Sequence, residues 1–185
     1  MKKLFAACLL LCLVSCGQRG VMRVLTVENP DDYALLRTPC EEFSPKELRS
    51  RAVARLAKRM IATVTDSTQN GVGIAAPQVG VSKRLIVVCR LDKEDEPFVA
   101  YANPQIDSTF GEIVIGREGC LSIPLIRGNV PRAYGIVVSY ASPDGLSRIS
   151  ETVVDYTARI FQHEIDHLDG ILYTDRTEDT YYPTE

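Results

Sequence analysis

Histidine is scarce in this chain, and so is any excess of basic residues. Only two histidines occur among 185 residues, and both stand in the stretch QHEIDHLDG at 162–170. Lysine and arginine total 21 against 24 aspartates and glutamates, which gives a formal net charge of −3. A protein that binds the phosphate backbone of nucleic acids needs a basic surface. The charge balance therefore excludes nucleic acid as the expected partner.

The sequence also contains no internal repeat and no low-complexity segment. Hydrophobic residues make up 45% of the chain and charged residues 24%, which is typical of an ordinary globular protein. A chain of this length is large enough to bury a real core and is expected to form one domain.

The N-terminus has the features of a secretory leader. Lys2 and Lys3 precede an apolar run from Leu4 to Val14, and small residues stand just before Cys16. The run is too short to span a membrane as a helix. The ending LVSC resembles the lipobox of bacterial lipoproteins, so residues 1–15 are interpreted as a signal peptide and Cys16 as a lipidated N-terminus. Its removal leaves 19 basic and 24 acidic residues, a net charge of −5.

Six cysteines are present, and three of them belong to or follow directly on the leader. The three that remain are Cys40, Cys89 and Cys120. An odd number of cysteines in an exported protein indicates that at least one has a use other than a disulfide.

The rest of the chain predicts an α+β domain. Residues 17–43 look irregular, and one helix is predicted after Ser44, with Pro45 at its first position and Glu47 completing a capping box. Short strands are predicted at RLIVVC, FVAYANP and GEIVIG, and YGIVVSYASPDGLSRISETVV is predicted to be a hairpin with its turn at 142–145. A last helix is predicted from about 156 to 168, ended by Gly170.

The two histidines form the pattern H-E-x-x-H on that last helix. His163 and His167 would lie one turn apart on one face, about 5–6 Å between Cβ atoms, so both imidazoles could bind one ion. Glu164 lies beside them, close enough to handle a proton without binding the ion. A catalytic ion needs a third ligand, for which the sequence offers Cys120 in REGCLSIP or, downstream, the acids Asp169, Asp175, Glu178 and Asp179.

Three motifs together resemble those of a known family. GVGIAAPQVG (71–80), EGCLS (118–122) and QHEIDHLDG (162–170) are similar to the signature motifs of bacterial peptide deformylases, and the match runs from about 36 to 172. The resemblance implies mostly antiparallel sheets around a C-terminal metal-binding helix. Together with the leader, it divides the chain into a signal peptide at 1–15, an arm at 16–35, a catalytic domain at 36–176 and a tail at 177–185.

The resemblance further implies a reaction and a set of site residues. The reaction is hydrolysis of the N-formyl group of formylmethionine at the N-terminus of a peptide, with release of formate. The metal ligands would be Cys120, His163 and His167, and Glu164 would be the general acid and base. The side chain of Gln78 and the backbone N–H of Leu121 would stabilise the negative oxygen. The residues expected to contact the peptide are Val72, Gly73, Gly119 and Ile160.

One divalent ion is the cofactor that the resemblance implies. The family commonly uses Fe²⁺, with Zn²⁺ or Ni²⁺ as substitutes, and an oxidising envelope would favour zinc or nickel because an iron–thiolate bond is fragile there. The expected partners are formylmethionyl peptides, and the expected state is a monomer. Contact with the membrane is expected only through a lipid on Cys16. The protein would then reside in the cell envelope, or in the cytoplasm if translation starts at Met22.

Two other functions fit the same residues. An envelope zinc peptidase would use a downstream acid in place of Cys120, and a non-catalytic lipoprotein would bind formyl-peptides without cleaving them. One departure from the family concerns Asp155, near which the family usually has a glycine at the start of the metal-binding helix. An acid suits a helix N-terminus, so the departure concerns the local turn.

Overall fold

The computed structural model describes residues 20–177 and 179–183. The predicted signal peptide and Cys16 lie outside the described residues, as does Glu178. Four helices and seven strands are present in the described part: α1 Pro30–Leu36, α2 Pro45–Leu48, α3 Arg51–Val64, β1 Gly73–Ala75, β2 Leu85–Cys89, β3 Phe98–Ala102, β4 Gln105–Cys120, β5 Ile123–Ala141, β6 Arg148–Val154, α4 Asp155–Leu168 and β7 Thr180–Tyr181. None of these helices is long and apolar enough to cross a membrane.

The region before residue 44 is more ordered than the sequence predicted. Helix α1 begins after Asn29, whose side-chain oxygen accepts hydrogen bonds from the N–H groups of Asp31 at 2.9 Å and Asp32 at 3.1 Å. With Pro30 at the first helical position, this is a standard helix start. The backbone N–H of Leu25 donates to the carbonyl of Gln78 at 2.8 Å, so this region packs against the domain.

The single helix predicted after Ser44 is two helices. The capping box of Ser44 and Glu47 is present, but it begins only the short α2. Ser50 then has an extended backbone, with φ −80° and ψ 148°, and acts as the N-cap of α3. A serine is favoured at such a position over a helix interior because its hydroxyl competes for backbone hydrogen bonds.

The strands form two antiparallel sheets. The first has the order β1-β2-β3, with Gly73 opposite Val88 and Leu85 opposite Ala102. The second has the order β4-β5-β6, and β7 pairs with β5. The predicted hairpin is β5 and β6, and its turn is closed by the N–H of Gly145 donating to the carbonyl of Ser142 at 2.8 Å. The α+β class with mostly antiparallel sheets is confirmed.

Strand β4 is much longer than the predicted strand GEIVIG. It extends to Cys120, which pairs with Ile123 across a two-residue turn. Cys120 therefore belongs to a strand end and not to the irregular segment that the sequence indicated. Because alternate residues of a strand share a face, Glu118 and Cys120 point to the same side of the sheet.

Helix α4 packs against strands of both sheets, and every residue from Thr157 to Leu168 is buried. The core contains Ile86 and Val88 from the first sheet, Ile136 and Val138 from the second, and Phe161 from α4. The predicted helix is confirmed, and it begins at Asp155, directly after β6. Gly170 has a φ of +72° just past its end, as a C-terminal glycine should.

Candidate active site

A cleft of about 290 Å³ opens where three elements meet. The segment leading into β1, the end of β4 and one face of α4 each supply part of its wall. The motifs that the sequence singled out therefore come together in space. The lining residues that carry the chemistry below are Val72, Gly73, Gln78, Glu118, Gly119, Cys120, Leu121, Ile160, His163 and Glu164.

Cys120, His163 and His167 form a possible metal site in this cleft. One ligand atom from each lies within 4.8 Å of the other two, and the Cys120 Sγ is 3.2 Å from the Nε2 of His167. Bond lengths of about 2.3 Å to sulfur and 2.0–2.1 Å to nitrogen would place tetrahedral ligands roughly 3.3–3.6 Å apart. The three residues are at most 9% exposed. A soft thiolate with two imidazoles suits a divalent transition metal, so the residues fit the ion.

Glu118 determines which nitrogen of His163 is available. One carboxylate oxygen accepts a hydrogen bond from the Nδ1 of His163 at 2.8 Å, and the guanidinium of Arg132 binds both oxygens at 3.0 Å. Burial opposes ionisation of Glu118, but the hydrogen bonds from His163 and Arg132 lower its pKa to about 2. A carboxylate only accepts, so Nδ1 carries the hydrogen and Nε2 is left for a ligand.

The thiol of Cys120 is held in its ionised form. Burial alone would raise its pKa, but the neighbouring His167 and His163 outweigh burial and keep the pKa well below the usual value. Burial likewise opposes the charged form of His163, yet Cys120 and Glu118 raise the pKa of His163 well above its usual value. The thiolate is the form of cysteine that binds metals.

The carboxyl group of Glu164 has a pKa close to neutral pH. It is 5% exposed, and its Oε2 has no hydrogen-bond partner among the described residues. Burial raises its pKa to about 7, against the opposing effect of the two histidines. A carboxyl with such a pKa can both take up and release a proton near pH 7.

Comparison with known proteins assigns this chain to a family. A family model described as polypeptide deformylase matches residues 21–181. The chain belongs to the polypeptide deformylase family. Members of this family are metal-dependent hydrolases, and the chain is accordingly an enzyme that removes the N-formyl group from peptides.

Individual relatives share both sequence and fold with this member of the deformylase family. A peptide deformylase of Synechocystis is 39% identical over 145 residues, which cover 78% of this chain and 74% of the relative. The Met-Ala-Ser-bound class I type b peptide deformylase of Acinetobacter baumannii is 38% identical with a TM-score of 0.73, covering 84% of this chain and 98% of that one. The peptide deformylase of Thermotoga maritima is 33% identical with the same TM-score of 0.73, covering 86% and 99%.

Gln78 and Leu121, expected as donors by resemblance to the deformylases, both lie next to Cys120. The Oε1 of Gln78 accepts from the N–H of Ala75 at 2.8 Å, which turns its Nε2 toward the sulfur of Cys120 at 3.3 Å and the hydroxyl of Ser122 at 3.2 Å. Leu121 is the first residue of the turn after β4 and lines the cleft. Both predicted donors therefore belong to residues that line the cleft beside Cys120.

The four residues expected to contact a peptide also line the cleft of this deformylase family member. Ile160 is 4% exposed, and Val72 is 38% exposed at the entrance. A Cβ on Gly73 would lie 2.5 Å from the Oε1 of Glu164, so only glycine allows this approach. The side chain of Arg127 covers Gly119, where a Cβ would lie 2.6 Å from its Nε.

The downstream acids considered as a third ligand have other partners. Asp169 pairs with Arg84 at 2.5 Å, Asp175 pairs with Arg37, and Asp179 accepts from Asn129 at 2.6 Å. Within residues 20–177 and 179–183, the group that could hold a metal is Cys120, His163 and His167. The alternative that replaces Cys120 by one of these three acids has no support in the geometry.

Glu118 and the buried charges around it were missed at the level of sequence. Arg132 links Glu118 to Asp166, whose carboxylate it binds at 2.5 Å, and Arg159 also binds Glu118 at 2.8 Å. The available signal was the spacing in the motif EGCLS. A carboxylate two positions before a metal-binding cysteine on a strand shares its face, where it can meet the second ligand of that metal.

Proposed function

We propose that the deformylase activity of this chain acts on N-terminal formylmethionine and releases formate from it. One observation carries the proposal: Cys120 and His163 line the same cleft as the carboxyl of Glu164, and His167 completes the trio with its Nε2 3.2 Å from the Sγ of Cys120. The buried trio can hold the ion, and Glu164 can handle the proton. The substrate follows from the family, whose solved member from Acinetobacter baumannii is bound to Met-Ala-Ser.

An amide is a weak electrophile and water a weak nucleophile, so both need activation. A divalent ion held by Cys120, His163 and His167 would polarise the formyl carbonyl and lower the pKa of water. Glu164, with its pKa near 7, takes the proton from the attacking water and passes it to the nitrogen of the leaving amine. The carboxyl of Glu164 lies against the backbone of Gly73, in space that the Cβ of any other residue would occupy.

The oxygen of the formyl group becomes negative when water adds to its carbon. The Nε2 of Gln78 and the backbone N–H of Leu121 donate hydrogen bonds to this oxygen. Both are held by the fold before the substrate arrives, Gln78 by its bond to Ala75 and Leu121 by the tight turn after β4. The loss of one such donor costs about 10²–10³ in rate in comparable hydrolases.

The peptide is held on both sides of the cleft. Val72 and Ile160 contact the methionine side chain, and Gly73 and Gly119 allow the peptide backbone to approach β1 and β4. A peptide in this position adds a strand between two existing ones, which supplies affinity through backbone hydrogen bonds.

The bound ion and the location are further parts of the proposal. Fe²⁺ is the favoured ion in a reducing compartment, and Zn²⁺ or Ni²⁺ in protein isolated from the envelope. We also propose that residues 1–15 are cleaved and Cys16 is lipidated, with the protein acting as a monomer. Determination of the mature N-terminus distinguishes a lipidated Cys16 from a cytoplasmic protein that starts at Met22. Metal analysis of envelope material that finds tightly held iron would contradict the choice of zinc or nickel.

The experiment that tests the activity is a formate assay with formyl-Met-Ala-Ser. Glu164→Gln keeps the size of the side chain but cannot carry the proton, so kcat is expected to fall by about 10²–10⁴. The metal content should be unchanged because Glu164 is not a ligand. Glu112→Gln is the matched control, since Glu112 is an exposed glutamate of β4 outside the cleft. Retained activity in Glu164→Gln, or no formate from the metal-loaded wild type, would refute the proposal.

A further inference from the structure

A second cleft, of about 300 Å³, lies beside the catalytic one. The two clefts share Tyr156 and Arg159 as lining residues, so they adjoin each other. The other residues of the second cleft have no part in the chemistry described above: Val114, Gly116, Arg117, Ala133, Tyr134 and Asp155.

We propose that this second cleft binds a large apolar or aromatic side chain at the fourth or fifth residue of the formylated peptide. The inference rests on the proposed deformylase reaction, because that reaction fixes the formyl group near Cys120. It adds a site of sequence preference well beyond the methionine.

The position along the peptide follows from strand β4, which lines both clefts. Its last residues, Glu118 to Cys120, line the catalytic cleft, and Val114, Gly116 and Arg117 line the second. Among the described strands β4 lies at the edge of its sheet, so a peptide can pair with its free side. An extended peptide advances about 3.3 Å per residue, the same as the strand. When the formyl carbon of the peptide lies beside Cys120, the fourth and fifth residues of the peptide lie beside Gly116 and Ile115.

The direction of the peptide is set by the turn at the end of β4. Beyond Cys120 the chain reverses within two residues to begin β5. Only the part of β4 before Cys120 therefore offers a straight edge. A peptide that follows this edge away from the ligands passes Tyr156 and enters the second cleft.

The chemistry of the second cleft favours an apolar occupant. Tyr134, Tyr156 and Val114 are 41%, 47% and 39% exposed, which is unusually open for large hydrophobic side chains on one small surface. Aromatic pairs in such a setting gain more than their buried area alone would give.

The charged residues of the second cleft do not favour a charged ligand. The guanidinium of Arg159 already donates to the carbonyls of Val114 at 2.6 Å and Val130 at 2.9 Å, in addition to Glu118. A Cβ on Gly116 would lie 2.7 Å from its Cζ, so the glycine leaves the room that this cation occupies. Arg117 and Asp155, both exposed, have opposite charges.

The test uses formylated hexapeptides that begin with methionine and carry a single phenylalanine, moved from position 2 to position 6 among alanines. Formate release by the metal-loaded enzyme gives kcat/KM for each peptide. We expect kcat/KM to be roughly 3- to 10-fold higher with phenylalanine at position 4 or 5, the range of an aromatic contact. The all-alanine peptide is the reference in every case.

Substitutions of residues that line the second cleft test whether the preference for phenylalanine arises there. Tyr134→Ala should remove the preference for phenylalanine, and Tyr134→Phe should keep it, because the ring and not the hydroxyl makes the contact. Val114→Ala removes a second apolar side chain from the cleft and should also reduce the preference, which guards against misfolding of a single variant. Tyr182→Ala, at a tyrosine that is 73% exposed outside both clefts, should keep it.

The possible outcomes test separately the existence of the second subsite, its location and the deformylase reaction. A flat profile with normal formate release overturns the second subsite and leaves the deformylase reaction intact. A preference that survives in both Tyr134→Ala and Val114→Ala overturns its assignment to this cleft. No formate from any peptide overturns the deformylase reaction itself, and the second subsite with it.

Discussion

The backbone at Gly73 lies very close to the carboxyl group of Glu164, the expected proton carrier. A methyl group at this position would meet the Oε1 of Glu164 at 2.5 Å and the Cγ2 of Ile160 at 2.8 Å, and both belong to the buried helix α4. For Gly73→Ala we expect a loss of about 10² in kcat/KM, since displacement of a reacting group by about 1 Å has effects of that size. Formate release measured at saturating metal checks the prediction.

The control for this substitution is Gly80→Ala. No atom lies within 4 Å of a Cβ at Gly80, but its φ is +81°, which strains any other residue. Gly80→Ala should therefore lower the melting temperature with little change in kcat/KM. Equal catalytic losses in the two variants would show that Gly73→Ala acts through general destabilisation.

Glu118 is expected to act on metal affinity through His163. In Glu118→Gln the amide can present its NH₂ group to Nδ1, which removes the preference for the nitrogen that faces the cleft. Loss of such a support typically lowers metal affinity about 10- to 100-fold. Competition with a chelator measures the change. Glu151→Gln, which breaks a carboxylate contact to Arg90 outside the catalytic cleft, is the control and should leave the affinity unchanged.

At this scale the sequence predicted the residues that come together at the cleft but not those that support them. His163, Glu164 and His167 were identifiable from their spacing, and Cys120 only with the family motifs. The carboxylate of Glu118 and the guanidinium of Arg132 meet across 14 residues of chain. Such pairs depend on the register of β4 against β5, which the sequence pattern leaves undetermined.

The start of helix α4 depends on an unusual backbone conformation at Asp155. Its φ is +59°, in the region that glycine adopts freely and other residues avoid. This explains why the deformylase family is expected to have glycine near this point. Aspartate and asparagine tolerate the region better than most residues because their short side chains can bond locally.

We expect the stability of Asp155 variants to follow this preference. Asp155→Gly and Asp155→Asn should retain or raise the melting temperature, whereas Asp155→Ala should destabilise the fold by about 1 kcal/mol. Thermal unfolding of the three variants tests the order. If alanine is as stable as glycine, the strain at this residue has no energetic importance.

Among the elements, those with strong local signals were predicted well. Helix α4 was placed to within one residue because its apolar stripe and Gly170 define its limits. The division between α2 and α3 was missed because the apolar period continues through Ser50 while the backbone does not. Helix α1 was missed because its seven residues are too few to show a period, although Asn29 and Pro30 mark its start.

For the molecule as a whole, Arg90 joins the two sheets. It follows β2 in the first sheet and binds Glu151 of the second at 2.9 and 3.1 Å, as well as Asp92 at 2.7 and 2.8 Å. The hydrogen bonds from Arg90 lower the pKa of Asp92 from 3.8 to about 2. Because the folded-state pKa is depressed, this contact stabilises the fold above pH 3.8 and the stabilisation is lost as the pH falls toward 2.

Asp92→Asn should therefore change the response of stability to acid. At pH 7 we expect the variant to be less stable by about 1 kcal/mol, since the Asp92 side chain is 26% exposed and solvent weakens the pair. The difference should shrink between pH 4 and pH 2. Urea unfolding across this range measures it, with the exposed Glu94→Gln as control. A difference that stays constant with pH would contradict the assignment.

The burial of α4 between the two sheets determines how this protein loses activity on heating. Two of the three expected ligands and the proton carrier lie on the element that fills the core. Local opening at loops and termini cannot release them, so the amides of α4 should exchange with solvent only when the whole domain unfolds. Inactivation of the metal-loaded enzyme by heat should then coincide with loss of the fold.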